Sequence, residues 1–197
     1  MFETEEAKQF FAAWQALRTG DELPHFREVF QRLPTELLPH ILIVERMAPE
    51  EHVVRFMGTR LAELRQRDFT GQDLFVLMSP RVAAAGRRNF AQVLGKPCGL
   101  ANIGVFSQKG GDVLALENIV LPAGNDPGRP ARALCFSHNL RPPFPVDDDR
   151  PDAVRRRWID LGFGVPAGKP AARVRLPPKV FPRCVQPDLG RFPGPAH

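Results

Sequence analysis

From Val53 to Leu74 the chain reads VVRFMGTRLAELRQRDFTGQDL, and this stretch constrains the fold more than any other. A β-branched run ends at Gly58-Thr59, a short helical run follows, and Asp68-Phe69-Thr70-Gly71 turns the chain towards a longer helix. A glycine at the first corner lets strand and helix meet where a side chain would crowd the turn. Thr59 supplies a hydroxyl for the free N–H groups of the helix predicted over Arg60–Gln66. Thr70 and Gly71 mark the turn into the next helix. Gly58, Thr59, Thr70 and Gly71 are therefore read as structural, with no catalytic role needed to account for them.

Hydrophobic patterning supplies the neighbouring elements. His40–Glu45 is a continuous apolar, β-branched run, typical of a strand buried on both faces. Val53–Met57 is a second strand, joined to it by the polar MAPEEH loop. Pro80–Leu94 is predicted as a helix with Ser79 as its cap, Pro80 at its first position and Gly95 at its stop. Three strand-like runs follow: Cys98–Ser107, Val113–Leu121 and Ala131–His138. Lys109-Gly110-Gly111-Asp112 joins the first two as a hairpin. Two strands, a helical crossover and a three-strand meander define an α+β domain.

Upstream, residues 4–19 form an amphipathic helix, with Thr4 as cap, Glu5 and Glu6 at the positive end of its dipole and Gly20 at its stop. Ala7, Phe10, Trp14 and Leu17 make one stripe, with Phe11 at its edge. Such a stripe either packs on its own domain or forms the contact with a partner subunit. Leu33–Pro39 is a short turn or helix bracketed by prolines.

Charge and proline divide the chain near residue 140. Arg141–His197 holds 11 Lys+Arg, 6 Asp+Glu and 12 of the 21 prolines, leaving the first 140 residues with 16 charges of each sign. The expected organisation is a neutral folded region, 1–140, and a basic, Pro-rich extension, 141–197. Within the extension Pro151–Gly162 predicts a short helix over about 151–161, with Val154, Trp158 and Leu161 along one side. PPFP and LPPKVFP favour extended segments. Cys98, Cys135 and Cys184 are odd in number and form no CxxC pair, so a reducing cytoplasm is the expected compartment. The N-terminus lacks the layout of a signal peptide, and no apolar run approaches the roughly 18 residues that span a bilayer.

Four segments, WQALRTGDELP, LPTELLPHILIVE, VVRFMGTRL and RDFTGQDL, together resemble the bacterial single-domain PAS proteins of the PAS_5 type, over about residues 10–140. The resemblance implies a five-stranded antiparallel sheet with helices across one face, preceded here by the N-terminal helix. It also places any ligand between sheet and helices. Photoactive flavin domains of this kind carry a cysteine in an Asn-Cys-Arg-Phe-Leu-Gln motif. Arg60–Met78 has no cysteine, which speaks against a flavin adduct. PRVAAAGRRNFAQVLG has no histidine to serve as a proximal haem ligand, leaving only His40 or His138 in an unusual arrangement.

The histidines are scattered, without HxxxH or HxH, so no metal site is expected. The chain has no GxSxG, no GxxxxGK[ST] and no GxGxxG, and an enzyme is not expected either. What remains is pocket polarity. By strand alternation Asn102 shares a face with Leu100 and Phe106, and Asn118 shares one with Leu114, Leu116 and Val120. An amide in an apolar row needs a partner, which is local backbone, water or a bound small molecule. Phe56, Phe69, Phe90, Ile103, Leu134 and Phe136 would line the same interior.

The expected function is a cytoplasmic sensory or adaptor module acting through contacts with another signalling protein, or as a homodimer through Phe10, Trp14 and Leu17. No kinase, cyclase or DNA-binding segment is attached, so output would pass through another chain. A ligand-free docking adaptor is one alternative. Binding of nucleic acid or an anionic surface through the basic extension is another, against which the neutral core and the scarcity of aromatics among its arginines argue.

Overall fold

The structure is a computed structural model that describes residues 2–20, 22–76, 78–107, 113–140 and 155–173. Helix α1 (Glu5–Ala16) and helix α2 (Phe26–Arg32) lead through a 3-10 turn (Thr35–His40) into strands β1 (Ile41–Ala48) and β2 (Glu51–Met57). Helices α3 (Thr59–Arg65) and α4 (Pro80–Gly95) cross over to β3 (Gly99–Ser107), β4 (Val113–Ala123) and β5 (Arg132–Leu140). Two further strands, β6 (Arg155–Asp160) and β7 (Ala171–Arg173), complete one sheet in the order β2-β1-β5-β4-β3-β6-β7. All neighbours are antiparallel except β6 and β7.

The sheet thus has seven strands among the described residues where five were expected, and the added pair comes from the basic extension. The helix expected over 151–161 is replaced: Arg155–Asp160 is a strand, and the residues before Arg155 lie outside the described residues. The spacing of Trp158 and Leu161 fits a helix locally, but the open edge of β3 decides the matter. Leu100 pairs with Trp158 and Gly99 with Ile159, which satisfies backbone groups that an edge leaves free. Alternation then sends Trp158 into one core and Ile159 into the other. After β6 the carboxylate of Asp160 accepts the N–H groups of Gly162 (2.8 Å) and Gly164 (2.9 Å), fixing a tight bend.

Helices cover both faces of the sheet rather than one. On the first face, Ala7, Phe10, Phe11 and Trp14 of α1 are buried against Ile119, Leu121, Leu134 and Phe136. Phe10 stacks on Phe136 at 5.4 Å, and Trp14 Nε1 donates to the Pro122 carbonyl at 2.9 Å. Phe10 and Trp14 are wholly buried inside their own chain and Leu17 packs on the same core, which corrects the reading of this stripe as a partner surface. The cap expected at Thr4 is present, its Oγ1 accepting from Ala7 N–H. The buried Glu117 carboxylate holds this helix end from the sheet, accepting the N–H groups of Glu3 (2.7 Å) and Thr4 (2.9 Å) and the Thr4 hydroxyl (2.8 Å).

On the second face, α3 and α4 pack over Leu42, Val44, Leu100, Val120 and Cys135. The corner into α3 differs in one detail from expectation. Gly58 is the N-cap and Thr59 the first helical residue, with no side-chain cap bond. The glycine is needed because a Cβ there would lie 2.5 Å from the Leu38 carbonyl oxygen and against that of Pro39. Thr70 donates through N–H and hydroxyl to Asp68 Oδ1 (2.8 and 2.7 Å), and Gly71 follows at φ +82°.

Candidate functional site

Strand register on the α4 face aligns four polar side chains in one row. Ser137 of β5 lies opposite Asn118 of β4, Asn118 opposite Asn102 of β3, and Asn102 opposite Arg156 of β6. The hydrogen bonds along this row have a fixed sense. Asn118 Nδ2 donates to the Leu116 carbonyl at 3.1 Å, and a carbonyl only accepts, so the nitrogen must lie on that side. The same nitrogen donates to Asn102 Oδ1 at 3.0 Å, while Ser137 Oγ donates to Asn118 Oδ1 at 2.7 Å. Asn102 therefore offers its oxygen to the row and keeps its NH₂ group as the donor end.

Above this row lies a cavity of about 170 Å³, roofed by Phe75 and Met78 of the α3–α4 connection and by Val82, Ala85, Gly86, Asn89 and Phe90 of α4. A second lobe of about 110 Å³ extends under α3 past Met57, Leu61, Phe69 and Leu116, and the lobes share Leu42, Arg65, Leu74, Met78 and Ser137. An apolar cavity of roughly 150 Å³ holds a benzene molecule, whereas drug-sized ligands occupy roughly 300 Å³ or more. The space suits one ring or a short chain. Gly86 shapes the roof, since a Cβ on it would run into the Phe75 ring.

Five of the residues expected at a pocket meet around these two lobes: Phe69, Phe90, Asn102, Leu116 and Asn118. The other four lie elsewhere, and strand parity explains why. Leu134 and Phe136 alternate with Cys135 and Ser137 and face α1. Ile103, next to Asn102, joins Ala115 and Leu140 in a small separate cluster. A bulge pairs Ile43 with Phe56 but Val44 with Val54, which turns Phe56 onto Phe30 on the α1 side. Sequence reasoning missed Ser137, Arg65 and Arg156. Ser137 becomes visible once β4 and β5 are paired; Arg156 required β6.

The electrostatics of the cavity are one-sided. Arg65 and Arg156 line it, and no Asp, Glu or His appears among its described lining residues. Burial lowers the pKa of Arg65. Burial also pushes the Cys135 thiol on the floor far up, so it stays protonated and poorly nucleophilic. Behind the roof His52 is fully buried, edge-on to Phe75 (5.5 Å) and Phe90 (5.4 Å), with neither ring nitrogen hydrogen-bonded. Burial lowers its pKa. His40 and His138 stack at 4.8 Å beside Phe136, on the α1 face and outside the cavity. Among the described residues no group of three or more His, Cys, Asp or Glu could hold a metal ion. No described helix is long and apolar enough to cross a membrane.

Comparison with known families matches residues 2–136 to the family model PAS_5, described as a PAS domain. The chain belongs to the PAS domain family. Solved structures similar to this PAS domain include the Rhodobacter sphaeroides LOV protein, at 14% identity, 69% of this chain, 67% of that one and TM-score 0.41. VqmA bound to DPO is 16% identical over 59% of this chain and 57% of its own, with TM-score 0.43. A Vibrio cholerae VqmA dimer is 17% identical over 58% and 51%, with TM-score 0.41. Likeness at this level carries nothing about ligand or partner. No curated protein matches the chain.

Proposed function

We propose that this PAS domain is a sensory module that binds a small molecule between the sheet and α4 and reports its presence through a protein contact. The observation that carries the reading is the oriented polar row on the floor of an apolar cavity, where a ligand with an apolar body and one polar group finds matching surfaces. The module acts by binding rather than turnover: the described lining has no carboxylate, no histidine and only a protonated thiol. The free thiols of Cys98 and Cys135 accord with a reducing cytoplasm.

Native mass spectrometry of the full-length protein, harvested under several growth conditions, tests the reading together with xenon titration of its methyl resonances. A retained small-molecule mass, or xenon shifts confined to Leu42, Leu74, Met78 and Val82, is the expected result. A bare mass under every condition with no xenon response overturns it in favour of a ligand-free docking adaptor.

A further inference from the structure

Resting on that reading, we infer that the ligand is a small carboxylate with an apolar body, its carboxylate held by Arg156 and Asn102 at the β6 end of the cavity. The sense of the hydrogen-bonded row gives the first argument. With the Asn102 oxygen engaged by Asn118, the group it presents onwards is NH₂, a double donor. The neighbour across the strand is Arg156, whose side chain lines the same cavity. Directly opposed residues on one sheet face stand about 5 Å apart at Cβ, close enough for both to reach one small group. A guanidinium and a primary amide are both planar donors, and a carboxylate offers two coplanar acceptor oxygens to match them.

Charge gives the second argument. Arg156 lines this end of the cavity and no Asp or Glu is among the described lining residues, so the local potential favours an anion over a cation. The third argument is the apolar remainder. Leu74, Phe75, Met78, Val82 and Phe90 offer no hydrogen-bonding side chains to the rest of the ligand. With about 170 Å³ in the main lobe, that body is one ring or a short chain. Arg156 itself is exposed, on the part of β6 that β7 does not pair with, so the carboxylate end of the ligand lies at the mouth and the body lies inside.

The test uses ¹⁵N and methyl NMR titration of the full-length protein with benzoate and cinnamate, against the isosteric neutral amides benzamide and cinnamamide, and with phenyl phosphate as a second anion. Expected is at least about tenfold tighter binding of the carboxylates than of their amides. Arg156→Gln, at an exposed position, is expected to abolish that preference while leaving the unliganded melting temperature unchanged. Arg156→Lys should restore part of the preference. Equal binding of carboxylate and amide, an unaltered preference in Arg156→Gln, or tighter binding of phenyl phosphate overturns the carboxylate and leaves the cavity reading intact. Xenon uptake without binding of any probe does the same. No response to xenon or to any probe overturns both.

Discussion

At Gly58 the corner between β2 and α3 passes beneath two carbonyls of the 3-10 turn. The neighbours that forbid a side chain are backbone atoms of Leu38 and Pro39, which no rotamer change can move aside. Gly58→Ala is expected to cost about 1–3 kcal/mol or more, as forced overpacking does, read as a lower urea midpoint at unchanged m. Gly71 is a control of a different kind. Its φ of +82° strains any other residue, but a Cβ there meets nothing within 4 Å, so Gly71→Ala should cost only about 1–2 kcal/mol. Local reading marked Gly58 as a tight corner; the atoms that make it tight belong to residues some twenty positions earlier, and no local pattern contains them.

His52 shows the same limit in a titrating group. Burial between Phe75 and Phe90 lowers its pKa below the ordinary 6.5, so between the folded and unfolded values the unfolded chain binds more protons and stability rises with pH. The penalty is absent above about pH 6.5, grows as pH falls below it, and levels off beyond the folded value. His40, lowered chiefly by burial, adds in the same direction. Burial alone would raise the pKa of Glu45, but hydrogen bonds from Arg55 and Arg132 outweigh it and hold the carboxyl below its ordinary 4.5. Its acid loss therefore begins only below about pH 4.5, later in an acid titration than the onset of the histidine penalty. His52→Phe keeps the ring contacts and removes the titration. Its urea midpoint should fall less between pH 7 and pH 5 than that of the unaltered protein; an equal fall would show that His52 carries no share.

At the scale of the element, α1 illustrates how burial and partner contact look alike in sequence. The stripe of Phe10 and Trp14 was legible, as was its cap, although the helix ends at Ala16 rather than running on to Gly20. An apolar stripe, however, fits a sheet or a second subunit equally well. What decides is the receiving surface: Phe136 for Phe10, the Pro122 carbonyl for Trp14 and Glu117 for the first turn. Glu117→Ala leaves the Glu3 and Thr4 N–H groups without their acceptor and should cost about 1–3 kcal/mol. Because Phe10 and Trp14 still anchor the helix, the loss should be local. Amide exchange of residues 4–8 is expected to accelerate well beyond that of β4 and β5, and a uniform acceleration across the sheet would contradict a latch confined to the helix end. The same reasoning covers the candidate site. Phe69, Phe90, Leu116 and the two asparagines were within reach of alternation and composition, whereas Phe56 was turned away by a bulge that only strand pairing reveals.

For the whole molecule, the decisive fact is that part of the basic extension completes the sheet. Proline and charge content separate residues 141–197 from the rest, and that contrast hides RRRWID, whose three arginines mask a strand that sends Trp158 and Ile159 to opposite cores. Without β6, the β3 edge would lose its partner and both cores would open at one side. Burying side chains the size of Trp158, Ile159 and Leu161 contributes about 1.5–3 kcal/mol each, against a total stability of roughly 5–15 kcal/mol for a domain. An exposed β3 edge would also invite pairing between chains. A truncation to residues 1–140 is therefore expected to unfold at a markedly lower urea concentration than the full chain and to self-associate, as measured by light scattering after gel filtration. A truncation to 1–173 keeps β6 and β7 and should match the full chain in both measurements. Equal stability of 1–140 and 1–173 would mean that β6 is an accessory rather than part of the core. The two truncations also bear on the ligand, because only the longer one retains Arg156: if 1–140 remains folded, it should bind benzamide and benzoate alike, while 1–173 keeps the carboxylate preference.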